Sequence, residues 1–129
     1  MIVEAARKWV GVPFLHQGRT RAGVDCVGLL IVVALDLGLP VEDVKTYGKV
    51  PHPRIMGAEL ERQMDRIAVG QLSPGDVVWM AWRKAPHHLA IYTGDGLIHA
   101  FQNAGRVIEH PIDEIWRGRV RGAFRFRTA

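Results

Sequence analysis

A single cysteine rules out an intrachain disulfide, so no covalent staple holds this chain and its redox compartment stays open. No apolar run is long enough to cross a bilayer: the longest, Cys26 to Leu35, is about half of a membrane span. The opening residues, Met1-Ile2-Val3-Glu4-Ala5-Ala6-Arg7-Lys8, lack the pattern of a secretory signal, because charges break the apolar stretch and no small-residue cleavage site follows. The expectation is a soluble protein made in the cytoplasm, not exported by any signal visible here and not inserted into a membrane. Internal repeats, low-complexity tracts and linkers are also missing, so the 129 residues are expected to form one domain, 1–129. That length can bury a core unaided. Aromatic residues make up 8% and do not interleave with basic ones as a base-stacking platform requires. Nucleic acid is therefore not an expected partner.

What the chain does have is an ordinary globular composition, 48% hydrophobic and 23% charged, with a net charge of +4. A basic balance suits polyanions, whether nucleic acid, anionic lipid or cell-wall polymer, and equally serves solubility alone. The first half reads as helices and the second as short strands, an order that implies α+β, with N-terminal helices packed on a C-terminal antiparallel β-sheet. Ile2, Ala5, Ala6, Trp9 and Val10 recur at helical spacing up to Gly11. Phe14 to Val24 is a polar, glycine-bearing loop. A second helix is predicted from Cys26 to Leu37, capped by Asp25, stopped by Gly38 and apolar nearly all round, hence central and buried. Pro40 to Ile55 is turn-rich, and Met56 to Val69 has the pattern of an amphipathic surface helix. Ser73-Pro74-Gly75-Asp76 is a turn before a strand, Val77 to Trp82. His88 to Tyr92 and Leu97 to Phe101 form a hairpin around Gly94-Asp95-Gly96. Arg106 to Glu109 is another strand. In the last strand Val120, Phe124 and Phe126 alternate with Arg119, Arg121, Arg125 and Arg127, which reads as one buried face and one basic face protecting a sheet edge.

Cys26 is the position that carries chemistry. A lone cysteine is a core filler, a metal ligand or a nucleophile, and burial is its commonest fate. Here it begins a helix, where the positive end of the dipole favours a thiolate and lowers the thiol pKa. Gly18 and Gly23 in the preceding loop allow backbone N–H groups to approach a substrate carbonyl. A thiol nucleophile needs a base, and six histidines are available. By strand alternation His88 and His99 share one sheet face. A two-residue turn at Asp95-Gly96 sets His99 opposite Tyr92, about 13 Å along the strand from His88. A four-residue turn, Thr93 to Gly96, sets it opposite Ala90 and diagonal to His88 at roughly 7 Å. Only the second lets the two rings cooperate. His87 reads as an exposed loop residue, His52 as a plain loop histidine and His110 as having no role. Cys26, His88 and His99 match no common zinc spacing, so neither metal nor cofactor is expected. Trp79 and Trp82 lie on opposite faces by parity, which leaves one of them for the core and the other for a groove or the surface.

These blocks resemble a known family. Gly23-Val24-Asp25-Cys26-Val27-Gly28-Leu29-Leu30 is similar to the nucleophile motif of NlpC-type papain-like cell-wall cysteine peptidases. Leu72-Ser73-Pro74-Gly75-Asp76-Val77-Val78, then His88-Leu89-Ala90-Ile91-Tyr92 and Ile98-His99-Ala100, resemble the blocks that follow. Phe14-Leu15-His16-Gln17-Gly18-Arg19, Tyr47-Gly48 with Pro51-His52-Pro53, and Gly122-Ala123-Phe124-Arg125-Phe126 resemble the subgroup carried by tailed phages. The resemblance implies a papain-like fold with Cys26 as nucleophile, His88 as general base and His99 as the group that orients it. It implies hydrolysis of the D-glutamyl–diamino acid bond in peptidoglycan stem peptides. It also implies residence in a virion tail among tail-tip or hub proteins, with host-cytoplasm synthesis and action in the cell wall or periplasm. One departure stands out: where many members carry a tyrosine near the oxyanion hole, this chain has Phe14, which cannot donate a hydrogen bond. His16 or backbone groups are the available substitutes. A competing reading from another class is a structural tail-tip plug of the same fold with little or no catalysis. A lipid-directed acyltransferase ranks last for want of a membrane anchor.

Overall fold

A computed structural model describes residues 1–49, 51–82 and 85–128, with Ala85 described by its backbone. Helix α1 (Ile2–Arg7) buries Ala5 and Ala6, and Trp9 follows it into the core. Val10, expected on the same apolar face, is exposed, because the helix has ended and the chain turns at Gly11 with φ +92°. The predicted loop holds a small hairpin, β1 (Arg19–Thr20) and β2 (Gly23–Val24). Helix α2 (Cys26–Asp36) starts on Asp25, whose carboxylate accepts from the Gly28 N–H, and ends before Gly38 in the left-handed region. It buries Leu29, Leu30, Ile31, Val32, Val33 and Ala34. Full burial of each large aliphatic chain stabilises by roughly 1.5–3 kcal/mol, so this helix anchors the core.

The sheet has six antiparallel strands among the described residues: β3 (Met64–Ile67), β4 (Val77–Trp82), β5 (Ala85–Tyr92), β6 (Gly96–Phe101), β7 (Arg106–Pro111) and β8 (Val120–Phe126). Their spatial order is β3-β8-β4-β5-β6-β7. Helix α3 (Pro53–Gln63) begins three residues earlier than its hydrophobic pattern indicates and stops sooner. Pro53 suits the first helical position, and His52 caps it by accepting the Arg54 N–H on Nδ1, a role its sequence context hides. Met64 to Ile67, expected as more helix, instead pairs with β8, because sheet pairing outweighs local propensity. A short helix, α4 (Glu114–Arg119), interrupts the strands and is capped by Asp113.

Two corrections concern β8. It lies between β3 and β4, so its arginines do not guard an edge. Arg125 instead clasps Asp76 through two 2.8 Å hydrogen bonds, and Arg127 pairs with Asp65 at 3.0 Å. The register against β4 also shifts between Trp79 and Met80, so Val120 does not share a face with Phe124 and Phe126. Phe124, Phe126 and Trp79 pack toward the helices α1 to α3, whereas Val120 and Trp82 join Val78, Met80, Ala90 and Leu97 on the other face. The two tryptophans thus part as alternation requires.

Candidate active site

Asp25 and Cys26 stand where loop, hairpin and α2 converge. Gly28 permits this closeness: a Cβ there would lie 2.1 Å from the Gly18 carbonyl oxygen. Asp25 is buried and heavily engaged. It accepts from the Gly28 N–H (2.7 Å), the Gln17 N–H (2.8 Å), the Tyr47 hydroxyl (2.7 Å) and Arg19 Nη1 (3.3 Å). Gln17 adopts φ +59° to aim its N–H there, an uncommon backbone for a residue with a side chain. The guanidinium of Arg19 also donates to Tyr47 Oη and Asp43, tying segment 43–47 to the first turn of α2. Asp25 is therefore more than a helix cap; it gathers three chain segments. Burial, and then its hydrogen bond to Asp25, push the Tyr47 phenol upward, so the hydroxyl stays protonated and donating.

Cys26 is 8% exposed. Burial first, and the Asp25 carboxylate second, push its thiol up to about 12, against the opposing pull of backbone N–H groups from Leu89, Val27 and Cys26 itself. The expectation that the helix dipole lowers this pKa is corrected: desolvation exceeds the dipole, and the capping carboxylate brings a negative charge next to the sulfur. The resting group is a thiol.

Across a groove from it, β5 presents His88. A cavity of about 190 Å³ is lined by Cys26, His88, Phe14, His16, Trp82 and His87, among others. The β5–β6 register sets Ile91 opposite Ile98 and Tyr92 opposite Leu97, which is the four-residue turn of the two registers open to the sequence. Continued along the ladder, it brings His99 diagonal to His88, and His88 Nε2 lies 2.7 Å from His99 Nδ1. His99 is wholly buried. Burial is the chief cause that holds both imidazoles well below the ordinary histidine range. For His88 coulombic repulsion from His87 and Arg119 adds to it, and for His99 the repulsion that a cation there would meet from His88 and His110. Both rings are neutral at neutral pH.

Two side chains, those of His87 and His110, stand otherwise than expected. His87 lies on β5, half-buried, at the groove wall, with its ring 6.0 Å from that of Trp82. Trp82 also meets the His88 ring edge-on at 5.0 Å, so it is the tryptophan that lines the groove. His110, given no role from its position before a proline, has Nε2 2.8 Å from His99 Nε2 and Nδ1 2.9 Å from the Pro111 carbonyl oxygen. The signal that could have found it is parity: β7 pairs with β6, Leu97 opposite His110, which places His110 on the face of His99. Phe14 sits in the groove wall and offers no donor; His16, beside it, lies 4.0 Å from Asp25. Among the described residues no group of three or more His, Cys, Asp or Glu side chains could hold a metal ion.

Comparison with known proteins follows the same outline. The sequence pattern of the NlpC/P60 family matches residues 11–125. A gamma-DL-glutamyl hydrolase from Bacillus subtilis is 29% identical over 97% of this chain, and a probable endopeptidase NlpC from Escherichia coli is 30% identical over 85%. The chain spans 29% and 66% of those two relatives' own lengths. A crystal structure of an NlpC/P60 family protein from Bacillus cereus superposes with a TM-score of 0.74 at 21% identity, over 97% of this chain and 39% of that one. The shared α+β, papain-like architecture agrees with the fold expected from the sequence.

Proposed function

Because the chain belongs to the NlpC/P60 family, we propose that it is a cysteine peptidase that hydrolyses a peptide bond in bacterial cell-wall stem peptides. Cys26 serves as nucleophile, His88 as general base and His99 as the group that orients His88. The observation that carries this reading is the shared groove of Cys26 and His88 together with the 2.7 Å bond between His88 Nε2 and His99 Nδ1. That bond occupies one ring nitrogen and leaves His88 Nδ1 to take a proton. With the thiol pushed up and the imidazole held down, no resting ion pair forms. Deprotonation therefore accompanies attack. The Cys26 sulfur bonds to the substrate carbonyl carbon while its proton passes to Nδ1. His88 then gives that proton to the leaving amine as the C–N bond breaks. Water, deprotonated by His88, releases the acyl group and restores the thiol. Backbone N–H groups directed at the sulfur, those of Cys26 and Val27 at the start of α2, are the donors suited to the developing oxyanion. Phe14 supplies none, which lowers the rate rather than changing the reaction.

The bond proposed is that between D-glutamate and the diamino acid, in line with the B. subtilis relative's name. The setting proposed is a phage tail, beside tail-tip or hub proteins, with the groove delivered to the wall by the particle. Support for this setting comes from the Phe14–Arg19 and Tyr47–Pro53 pieces, whose Gln17, Arg19 and Tyr47 meet on Asp25. The basic surface suits anionic wall polymers. The deciding experiment incubates the protein and Cys26→Ala with Gram-negative peptidoglycan and identifies the products by mass spectrometry. Fragments ending at D-glutamate, absent with the variant, are expected. An intact wall together with an inert Cys26 would overturn the reading in favour of a structural plug.

A further inference from the structure

We propose that His110 is a positioning residue of this site: acting through His99, it dictates which ring nitrogen of His88 bears a proton and so keeps His88 Nδ1 free for the Cys26 thiol. The proposal rests on the reading of Cys26 as nucleophile and His88 as base. Three imidazoles stand in file. His88 Nε2 meets His99 Nδ1 at 2.7 Å, His99 Nε2 meets His110 Nε2 at 2.8 Å, and His110 Nδ1 meets the Pro111 carbonyl oxygen at 2.9 Å.

The last contact fixes the rest. A carbonyl oxygen only accepts, so His110 Nδ1 carries its proton. A neutral imidazole has one N–H, which leaves a lone pair on His110 Nε2 to accept from His99 Nε2–H. His99 Nδ1 then has the lone pair and accepts from His88 Nε2–H. The lone pair of His88 consequently lies on Nδ1. In a file of neutral rings the opposite polarity would need a donor at the far end, and Pro111 offers none. Neutrality is enforced by burial of His88 and His99, and no carboxylate bonds to any of the three rings among the described residues. When Nδ1 takes the thiol proton, the lone pairs of His99 and His110 already point toward the new imidazolium and stabilise it without a counter-ion.

The fold holds the anchor tightly. Gly96 pairs with Pro111, and a Cβ on Gly96 would lie 2.5 Å from the His110 carbonyl oxygen, so glycine lets β6 and β7 close here. The Ile112 N–H donates to the Asp95 carbonyl at 3.0 Å just beyond. Trp116 of α4 packs on the His110 and His99 rings at 4.6 and 5.2 Å between centroids. Arg119 stacks 4.7 and 4.5 Å over Trp82 and Trp116, and its charge, together with His87, disfavours a cationic His88 ring.

The test compares His110→Ala with His110→Gln, whose side-chain carbonyl restores an acceptor for His99. Peptidoglycan turnover should show kcat reduced about 10- to 100-fold in the alanine variant with KM unchanged, the range seen when an orienting partner is lost, and recovered in the glutamine variant. The 15N shifts of the His88 ring supply a readout independent of activity. They should report Nε2–H in the wild-type protein and in His110→Gln, and a mixture of tautomers in His110→Ala. An Nδ1–H tautomer in the wild-type protein, or full kcat in His110→Ala, would overturn the proposal. Should His110→Ala fail to fold, the wild-type and glutamine spectra decide it. If no variant, wild type included, cuts the wall, the assigned reaction fails, while the ring shifts still judge the relay.

Discussion

The two walls of the groove hold their chemistry by opposite means. The helix wall is built on charge. The Asp25 carboxylate collects an arginine, a phenol and two backbone N–H groups, and in doing so fixes the loop, segment 43–47 and the first turn of α2. On the sheet wall burial keeps His88 and His99 neutral at rest. His88, His99 and His110 form a line of imidazoles ending on a carbonyl, and its order lies in where protons sit. Charge gives the strongest geometric hold, but beside the sulfur it also raises the thiol. On the proposed reading, a neutral file orients the base without adding a charge that would have to be desolvated. One site, on that reading, places its nucleophile by electrostatics and its base by tautomer.

Breaking the sheet wall should have the largest effect. His88→Ala is expected to lower kcat by about 10³-fold or more, measured on peptidoglycan, because the thiol loses the general base assigned to it. Breaking the helix wall should cost stability first. Asp25→Ala removes the cap and leaves Arg19 and Tyr47 without their acceptor, and is expected to lower the unfolding free energy by about 3 kcal/mol in urea titrations.

Acid should separate the walls further. His88 and His99 are held below the ordinary value of 6.5, so at low pH the unfolded chain binds protons that the folded one refuses. Their contribution is fully present above pH 6.5 and falls away below it. Between pH 7.5 and 5.5 each should remove about 1.4 kcal/mol, read as a shift of the urea midpoint. In His99→Asn one of the two contributions should disappear. The smallest effect sharpens the contrast. Asp25→Asn keeps a capping side chain but removes the charge that raises the thiol, so iodoacetamide should alkylate Cys26 about 3-fold faster at pH 8. An unchanged rate would mean that desolvation alone controls the sulfur.

Much of the helix wall was legible from sequence. Asp25 before an apolar run, with Gly38 and Pro40 behind it, marks the start and stop of α2 by local capping chemistry, and so puts Cys26 on its first turn. The strand Val77 to Trp82 was equally plain, because its turn and β-branched residues are adjacent. Less of the sheet wall could be read. Alternation puts His88 and His99 on one face in either register, yet spacing alone does not choose between the two turns. His110 was overlooked because its partner arrives from another strand. Met64 to Ile67 continues a helical pattern, and only β8 draws it into the sheet.

What the sequence by itself determined is what neighbours along the chain decide: the α+β order of elements, the capped helix that begins with Cys26, and the shared face of two histidines. The tertiary structure alone decided the β5–β6 register, the four donors on Asp25, the file of three imidazoles and the thiol pushed up to about 12. The division has a physical cause. Caps and periodicity act over a turn or two of chain, whereas register, burial and the charge beside a sulfur depend on segments tens of residues apart meeting in a medium from which water has been removed.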